Sequence, residues 1–310
     1  MNTKAEKNVD IIIPVYNEED VVKNTHTRIC AAIDELPYQF TIYYIDDGST
    51  DGTLVSLNEL NDSRITVIEL SRNFGHQAAL TAGIDASHAE IVITMDGDGQ
   101  HPPEMLSEMI KLVVQGYDIV QTQRLDENQP NSLKKKTSGL FYKFINIISG
   151  TKIVPGTADF RAMSRRVVLA LRAMPEYHRF LRGMVAWTGF STVILPYQPD
   201  ERSGGVSKYS LRKMVSLAMD AIFSFSLVPL YIGLSFGGLL LFLALAEFTY
   251  VLSFWIRGDT STLAPGWSSL MFIILIVAGL QMILIGFIGV YVGYIFQEVK
   301  RRPVYLVKKE

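Results

Sequence analysis

A short acidic turn, Met95-Asp96-Gly97-Asp98-Gly99-Gln100, follows the apolar run Ile91-Val92-Ile93-Thr94. Two carboxylates one residue apart at the end of a buried strand repel each other unless a cation or hydrogen-bond donors offset their charge. Mg²⁺ and Mn²⁺ prefer such oxygen ligands, and Mg²⁺ commonly fills its remaining positions with phosphate oxygens and water. The turn therefore predicts a divalent-metal and diphosphate site, with an ordinary acidic turn as the alternative.

A calcium loop of the EF-hand type does not fit this turn. Such a loop needs Gly at its sixth position and Glu at its twelfth, but counting from Asp96 those places hold His101 and Ser107. The other acidic turn, residues 47–52, fails the same test because its twelfth position is Asn58.

Apolar residues are concentrated at the carboxyl end of the chain. With 310 residues, a net charge of −2 and 48% hydrophobic residues, the sequence can bury one full domain and still has apolar residues left over. Residues 227–256 carry Glu247 as their only charge, and residues 268–296 carry none. Each run exceeds the roughly 20 residues that cross a bilayer. We predict two transmembrane helices, at about 228–256 and 268–296, with buried core helices as the alternative.

Basic residues flank the two predicted spans on one side. They are Arg202, Lys208, Arg212 and Lys213 before the first span, and Lys300, Arg301, Arg302, Lys308 and Lys309 after the second. The connecting loop has only Arg257, beside Asp259. By the positive-inside rule, both termini and the acidic turn face the cytoplasm of the inner cell membrane. The polar segment 1–10 predicts no cleavable signal, and the single Cys30 can form no internal disulfide.

Strands alternate with helices before the predicted spans. The predicted strands are Val9–Val15, Phe40–Ile45, Ile65–Leu70, Glu90–Met95 and Asp118–Thr122. We predict helices capped by Asn17, through residues 78–82 and over Pro102–Gln115. This alternation predicts an α/β domain with a mainly parallel, helix-covered sheet.

Ligands of such a sheet bind outside the carboxyl ends of its strands. The candidate residues at those ends are Tyr16, Asn17, Glu18, Asp46, Asp47, Asp96, Asp98 and Arg124. A carboxylate of Asp46 or Asp47 can accept a hydrogen bond from a base while Tyr16 packs on its ring. No Gly-x-Gly-x-x-Gly follows the first strand and no Gly-Lys-Ser/Thr loop occurs, which disfavours dinucleotide dehydrogenases and P-loop NTPases.

Four ordered motifs together resemble the GT-A (Rossmann-like) glycosyltransferases of family 2. They are Pro14-Val15-Tyr16-Asn17-Glu18-Glu19, Asp46-Asp47-Gly48-Ser49-Thr50-Asp51, Ser71-Arg72-Asn73-Phe74-Gly75 and Asp96-x-Asp98-x-Gln100. The closer likeness is to polyprenyl-phosphate glycosyltransferases, which include dolichol-phosphate mannose synthases and bactoprenol glucosyltransferases. Residues 159–161, 179–183, Arg202 with 207–209, and the carboxyl-terminal spans are similar to the bactoprenol branch, so the resemblance covers nearly the whole chain. Gly97 and Gly99 stand where that branch often has Ala and Leu, which predicts a more flexible metal loop.

The resemblance implies a role for each matched residue. Pro14, Tyr16, Glu18 and Asp47, with Asp46 close by, would hold the base and ribose, and Asp96, Asp98 and Gln100 would hold Mg²⁺ or Mn²⁺. Arg124, Arg202, Ser207 and Lys208 would contact the diphosphate. The catalytic set would be Asp98, Asp159, Arg202 and Lys208. His101 is either an extra ligand or a solvated side chain. Asp159 would orient the substrates, act as a base, or pair structurally with Arg161 or Arg165.

The implied reaction moves one sugar from a nucleotide sugar to a polyprenyl phosphate, with inversion at the anomeric carbon. A lipid phosphate has a second pKa of about 6 and is already anionic, so its oxygen can attack without a strong base. UDP-glucose and undecaprenyl phosphate are the expected substrates, for modification of a cell-surface glycan. GDP-mannose, UDP-N-acetylglucosamine and other UDP-sugars are alternative donors.

The same resemblance divides the chain into three regions. We expect a GT-A catalytic domain at 1–205, an amphipathic juxtamembrane segment at 206–227 and a transmembrane region at 228–310 with a cytoplasmic tail. Residues 134–148 and 209–226 mix basic with apolar side chains and suit a membrane interface. The expected partners are the nucleotide sugar, the lipid, the membrane and further copies in a homo-oligomer, with Glu247 as a candidate contact and with no nucleic acid.

Two other functions remain as alternatives. A processive polysaccharide synthase would require a Gln-x-x-Arg-Trp motif, but no tryptophan of this chain follows an arginine. A membrane scaffold or flippase subunit with an inactive sugar-binding domain is the non-enzymatic alternative, and the intact acidic and basic residues argue against it.

Overall fold

The computed structural model describes residues 7–125, 157–198, 228–257 and 266–308. The chain divides into two compact units, one made of Met1–Asp220 with Arg302–Glu310 and the other of Ala221–Arg301. In their described parts, the first unit is built on a β-sheet and the second on two long helices.

One sheet of seven strands forms the first unit. Its strands are β1 (Asn8–Val15), β2 (Gln39–Asp46), β3 (Ile65–Glu69), β4 (Ile91–Thr94), β5 (Ile119–Arg124), β6 (Thr157–Ser164) and β7 (Thr192–Tyr197), in the order β3-β2-β1-β4-β6-β5-β7. Strand β6 lies antiparallel between β4 and β5, and every other pairing is parallel. The predicted mainly parallel α/β sheet is confirmed, but β6 and β7 are additions that the sequence pattern did not predict.

The central strand β1 shows why this chain forms a helix-covered sheet. Seven of its eight residues are buried, as expected for an apolar run covered on both faces. Its one buried charge, Asp10, accepts hydrogen bonds from the Ser87 hydroxyl and from the N–H groups of His88 and Ala89. These bonds join β1 to the loop that leads into β4.

Six helices accompany the sheet in the described residues. They are α1 (Val22–Ile33), α2 (Thr53–Asn58), α3 (His76–Ala86), α4 (Leu106–Val114), α5 (Arg165–Arg172) and α6 (Leu181–Trp187). The helix predicted over Pro102–Gln115 is shorter, because a 3₁₀ turn at Pro103–Met105 precedes α4. The prediction that Asn17 caps α1 is wrong, since Asn17 has a left-handed φ of 54° and its Oδ1 accepts the Thr50 N–H.

The second unit contains α7 (Val228–Arg257) and α8 (Trp267–Lys300), whose bounds agree closely with the two predicted spans. In the described residues, one segment, Ile276–Lys300, is long and apolar enough to cross a membrane. A second span therefore remains a prediction. The predicted amphipathic segments at 134–148 and 206–227 lie outside the described residues.

Candidate active site

The carboxyl ends of β1, β2, β4 and β5 meet at one edge of the sheet. Val15 pairs with Asp46 in the parallel register of β1 and β2, and Arg124 pairs with Tyr197 at the end of β5. Because β6 runs the other way, its early residue Asp159 lies at this same edge, just beyond the pair that Thr94 forms with Arg161. The fold thus brings residues from five strand ends together.

The carboxylate of Asp96 has an unsatisfied oxygen. Its Oδ1 is shielded from solvent and has no hydrogen-bond partner among the described residues. The Nε2 atom of His76 lies 3.4 Å from this oxygen. The imidazole makes no hydrogen bond to this oxygen, and a buried carboxylate oxygen without a hydrogen bond is costly unless a cation is bound. Asp96 therefore fits a hard divalent cation, which prefers carboxylate oxygens.

The second acidic residue of the turn, Asp98, is held by Gln100. The Gln100 backbone N–H donates to Asp98 Oδ1 at 3.1 Å, and its side-chain amide donates to Oδ2 at 2.8 Å. The Gln100 amide oxygen accepts a bond from Arg124 at 3.2 Å. The predicted ligand Gln100 thus directs its nitrogen, not its oxygen, at Asp98.

The two glycines of this turn have different constraints. A Cβ at Gly97 would lie 2.7 Å from Val15 Cγ1 and 3.0 Å from the Pro14 carbonyl oxygen, so the turn packs closely on β1. Gly99 has a φ of 75°, a left-handed conformation that L side chains rarely adopt. The glycines therefore place the turn against β1, in addition to any flexibility they confer.

His101 is a buried side chain, so its prediction as a solvated residue is wrong. Only 5% of it is exposed, and its ring stacks on Phe160 with centroids 4.8 Å apart. Its Nδ1 accepts the Asp96 backbone N–H at 2.9 Å, which leaves that nitrogen occupied. In this geometry His101 stabilises the turn through its bond to the Asp96 backbone and does not offer Nδ1 to a metal.

The turn after β2 places two buried carboxylates, Asp46 and Asp47, beside Tyr16. Asp46 accepts the Ser49 N–H, and Asp47 accepts the N–H groups of Phe74 and Gly75 at 2.7 and 2.9 Å. Burial raises the pKa of both carboxyl groups, and these hydrogen bonds oppose the rise. Both oxygens of Asp47 thus hold the loop Ser71–Gly75, which we call the donor loop.

The donor loop and the turn after β2 are in close backbone contact at Gly48. A Cβ added at Gly48 would lie 2.5 Å from the Arg72 carbonyl carbon, and Gly48 has a φ of 69°. Within the loop, the Arg72 guanidinium lies 4.4 Å from the centre of the Phe74 ring. Asp47, Gly48 and the loop therefore form one packed unit.

Asp159 is the centre of a buried charge cluster. It is 4% exposed, and it pairs with Arg161 at 2.6 Å and with Arg182 at 3.0 Å. Burial opposes its ionisation, but Arg182, His76 and Arg161 together hold the pKa of Asp159 well below its usual range. The predicted structural pairing with Arg161 is observed, whereas Arg165 instead donates to the Ser87 carbonyl. A carboxylate with so low a pKa is poorly suited to act as a base.

Sequence reasoning missed His76 and Gln77, the first two residues of α3. His76 Nε2 lies between Asp96 and Asp159, 3.4 and 3.6 Å from their oxygens. Against partial burial, which lowers it, Asp159 and Asp96 raise the pKa of the His76 imidazole. Gln77 lies 3.4 Å from Asp159 and accepts the Leu181 N–H. Their position directly after the Ser71–Gly75 motif was the only signal in the sequence.

Three further predicted residues, Pro14, Tyr16 and Glu18, lie at or just after the end of β1. Pro14 belongs to buried β1, Tyr16 is 37% exposed at its end, and the Glu18 N–H donates to Thr53 Oγ1. Arg202, Ser207 and Lys208 lie outside the described residues.

A second group of metal-binding residue types, His26, Cys30 and Asp62, lies between α1 and the start of β3. Arg64 already provides a positive charge there, since it donates to Asp62 at 2.7 Å and to the Cys30 sulfur at 3.3 Å. Burial raises the pKa of the Cys30 thiol to about 11, so the sulfur stays protonated. The group is a neutralised structural cluster.

The chain was compared with known proteins. The model of the family described as Glycosyl transferase family 2 matches residues 10–171. The SfII prophage-derived bactoprenol glucosyl transferase of Shigella flexneri is 37% identical over 306 residues, covering 97% of each chain. The uncharacterized glycosyltransferase YkcC of Bacillus subtilis (strain 168) is 37% identical over 302 residues, covering 96% of this chain and 93% of that protein. A solved structure, glucosyl-3-phosphoglycerate synthase from Mycobacterium tuberculosis with Mn²⁺, UDP and phosphoglyceric acid, aligns with a TM-score of 0.49 at 16% identity, covering 71% of this chain and 78% of that one.

The family model and the full-length relatives define the class of protein: the chain is a glycosyltransferase enzyme. It belongs to glycosyl transferase family 2, as the match over more than half of its length and the full-length relatives show. The family resemblance inferred from the four motifs is confirmed.

Proposed function

We propose that this enzyme transfers one glucosyl residue from UDP-glucose to a polyprenyl phosphate, such as undecaprenyl phosphate, with inversion at the anomeric carbon. The observation that carries the proposal is the buried, unsatisfied Oδ1 of Asp96 at the edge of the sheet where β1, β2 and β5 also end. The acceptor and the sugar follow the printed names of relatives, since several full-length ones are called bactoprenol glucosyl transferases.

In this proposal, Asp96 and Asp98 hold Mg²⁺ or Mn²⁺, and Gln100 joins them if its amide turns its oxygen towards the cation. When bound, the cation neutralises charge on the donor diphosphate and on the departing nucleoside diphosphate. Arg124, 3.2 Å from Gln100, is positioned to contact the same phosphates. Arg202, Ser207 and Lys208 are proposed as further diphosphate contacts.

The base and ribose of the donor are proposed to lie on Tyr16, beside Asp46. Tyr16 is 37% exposed at the end of β1, so part of its surface is accessible to a base, on which an aromatic ring can pack. Asp47 acts through the donor loop, because both its oxygens already accept N–H groups from Phe74 and Gly75. Pro14 and Glu18 complete this proposed surface.

The chemical step needs no protein base. An oxygen of the lipid phosphate attacks the anomeric carbon, the bond from that carbon to the diphosphate oxygen breaks, and its electron pair leaves with the nucleoside diphosphate. No proton moves in this step. We assign Asp159 an orienting role, because Arg161, Arg182 and His76 keep it ionised and fix its position.

A membrane hairpin of α7 and α8 is proposed to bring this site to the lipid. Val307, after α8, pairs with Leu70 of the sheet unit, so the two residues lie on the same side of any membrane. The chain between them must then cross an even number of times. If Ile276–Lys300 crosses, α7 with its 30 residues is the described helix suited to the second crossing. We further propose a catalytic domain at 1–205, a juxtamembrane segment at 206–227 and cytoplasmic termini. A homo-oligomer remains a prediction.

The test is sugar transfer in membranes that contain the full chain. Radiolabelled UDP-glucose and undecaprenyl phosphate are supplied to wild type, Asp98→Ala and Glu108→Ala, the last removing an exposed carboxylate of α4. We expect Asp98→Ala to lose at least about 100-fold in rate, because an electrostatic contact to the leaving group is lost. Glu108→Ala should match wild type.

Two further measurements define the cofactor and the sugar. EDTA should abolish transfer by wild type, and added Mg²⁺ or Mn²⁺ should restore it. A donor panel with UDP-glucose, UDP-N-acetylglucosamine and GDP-mannose should give label in lipid with UDP-glucose. Unchanged transfer by Asp98→Ala would refute the metal site, and transfer from GDP-mannose alone would refute the proposed sugar.

A further inference from the structure

The segment Val304–Lys308, which we call the tail, pairs with the edge of the sheet beyond β3. Val307 lies opposite Leu70 in an antiparallel bridge. The Lys308 N–H donates to the Glu69 carbonyl, and the Leu306 carbonyl accepts the Ser71 N–H, both at 2.8 Å. The tail therefore binds the three residues at which β3 ends and the donor loop begins.

The tail also contacts α3, the helix that begins directly after Gly75. The Tyr305 hydroxyl donates to Asp85 at 3.2 Å, and Asp85 is the penultimate residue of α3, at the end away from the donor loop. The Lys308 ammonium pairs with the Glu69 side chain. Both elements that flank the loop, β3 before it and α3 after it, are thus held by the same five residues.

The donor loop is the part of the site most dependent on such support. Its Phe74 and Gly75 N–H groups bind the carboxylate of Asp47, and its Arg72 backbone is in close contact with Gly48. The donor loop, residues 71–75, lies between β3 and α3 and has no regular secondary structure of its own. A shift at Ser71 would therefore move the groups that fix Asp47.

We propose that the tail is a positioning element of the donor site, which holds the donor loop against Asp47 by pairing with Glu69–Ser71 and contacting Asp85. This inference rests on the proposed function, since it assumes that Asp46 and Asp47 border the nucleotide. The tail residues touch no substrate; they act through the loop. Because α8 leads directly into the tail, the pairing also joins the membrane helix to the donor site along the chain.

A pair of proline substitutions tests the pairing in the full-length protein in nanodiscs. Lys308→Pro removes the N–H that bonds to the Glu69 carbonyl and also the ammonium that pairs with the Glu69 side chain, so it is compared with Lys308→Ala, which removes the ammonium alone. Val307→Pro is the matched control, because a residue directly opposite its partner in a non-hydrogen-bonded antiparallel pair directs its N–H away from that strand. Both positions lie in the same extended segment, so the two variants share the general effect of a proline.

For Lys308→Pro we expect the KM for UDP-glucose to rise about fivefold, the size expected from one lost backbone hydrogen bond. The value of kcat and the KM for undecaprenyl phosphate should stay at wild-type values, since the tail contacts only the donor side. Hydrogen exchange of a peptide covering residues 71–76 should become faster in Lys308→Pro and remain unchanged in Val307→Pro.

The possible outcomes distinguish a failure of the positioning role from a failure of the proposed function. Unchanged donor KM and unchanged exchange in Lys308→Pro would overturn the positioning role while transfer by wild type continues. An equal loss of donor affinity, lipid affinity and kcat would also overturn it, because it would indicate general unfolding. If wild type transfers no sugar, the proposed function fails, and the exchange experiment together with UDP binding still decides whether the tail holds the loop.

Discussion

At the scale of single residues, Asp159 shows how one carboxylate can be fixed by its neighbours. It is 4% exposed, and two guanidinium groups and an imidazole lie within 3.6 Å of its oxygens. Arg161 is itself 2% exposed, and its Nη1 has no hydrogen-bond partner among the described residues. The ion pair is therefore the main compensation for burying the Arg161 charge.

We predict that Asp159→Asn destabilises the folded sheet unit by about 3–5 kcal/mol, because it leaves buried cationic charge without its partner. A thermal melt of the purified full chain, followed by circular dichroism, measures the effect as a lower melting temperature. The matched control is Asp34→Asn, since Asp34 is 56% exposed and pairs with Arg64 at 2.7 Å. An exposed pair contributes about 0–1 kcal/mol, so the control should melt near wild type. Equal melting of the two variants would contradict the assignment.

The same carboxylate predicts the acid limit of stability. Its pKa is well below the ordinary value in the folded state and returns to about 4 on unfolding, so the unfolded state binds more protons between these values. The stabilisation is fully present above about pH 4 and is lost as the pH falls through the folded pKa. Melting temperature measured from pH 7 to pH 3 should fall for wild type, with a smaller acid-dependent fall for Asp159→Asn. Parallel curves would show that other groups dominate.

At the scale of elements, the turn after β2 depends on the absence of a side chain at Gly48. Gly48 and Gly116 both have a positive φ, of 69° and 110°, but a Cβ at Gly48 would lie 2.5 Å from the Arg72 carbonyl carbon, whereas one at Gly116 would meet nothing within 4 Å. Alanine is strained at both positions, by about 1–2 kcal/mol at a left-handed φ such as that of Gly48. The collision with the donor loop arises at Gly48 and not at Gly116.

We therefore predict that Gly48→Ala lowers the melting temperature more than Gly116→Ala, and that it alone weakens binding of UDP, because the donor loop must move away from Asp47. Melting curves and calorimetric titration with UDP and Mg²⁺ measure the two effects. If Gly116→Ala weakens UDP binding as much, the loss comes from backbone strain in general, and the close approach at Gly48 carries no special function.

The elements that sequence patterns predicted well are those with simple burial. Strand β1 reads as a continuous apolar run because both its faces are covered. The two helices of the second unit were predicted from the length of their apolar runs, although many of their described side chains are exposed. Strand β6 escaped prediction because its sequence, Thr157–Ser164, contains the charges of Asp159 and Arg161, which pair with each other and, for Asp159, with Arg182 from a distant segment. Strand β7 is partly exposed in alternation and contains Pro196, which weakens a strand pattern.

The candidate site was predicted to a similar extent. The sheet rule placed Asp46, Asp47, Asp96 and Arg124 at one edge correctly, since it depends only on strand direction. The contacts of His76 and the orientation of Gln100 depend on packing between distant segments, which no local pattern encodes. His101 was misjudged for the same reason, because its burial comes from the ring of Phe160 on β6.

At the scale of the whole molecule, the pairing of the tail bears on the proposed membrane hairpin. The hydrogen bonds between Lys308 and Glu69 require the sheet and the tail to share one compartment. A single crossing by α8 alone would separate them. The pairing therefore supports a hairpin of two crossings, although Ile276–Lys300 is the one segment among the described residues that meets the length and polarity requirement by itself.

Cysteine labelling tests this topology directly, because Cys30 is the only cysteine and Cys30→Ser provides a clean background. Single cysteines are introduced as Asn24→Cys, at an exposed residue of α1, as Ser261→Cys between α7 and α8, and as Arg302→Cys after α8. In intact spheroplasts, a membrane-impermeant maleimide should label Ser261→Cys, and should label the other two only after the membrane is permeabilised. Labelling of Arg302→Cys alone would mean that only α8 crosses, and it would also separate the tail from β3. Two segments joined by backbone hydrogen bonds cannot lie on opposite sides of a bilayer, so the tail pairing requires Asn24→Cys and Arg302→Cys to be labelled alike, and the hairpin requires Ser261→Cys to differ from both.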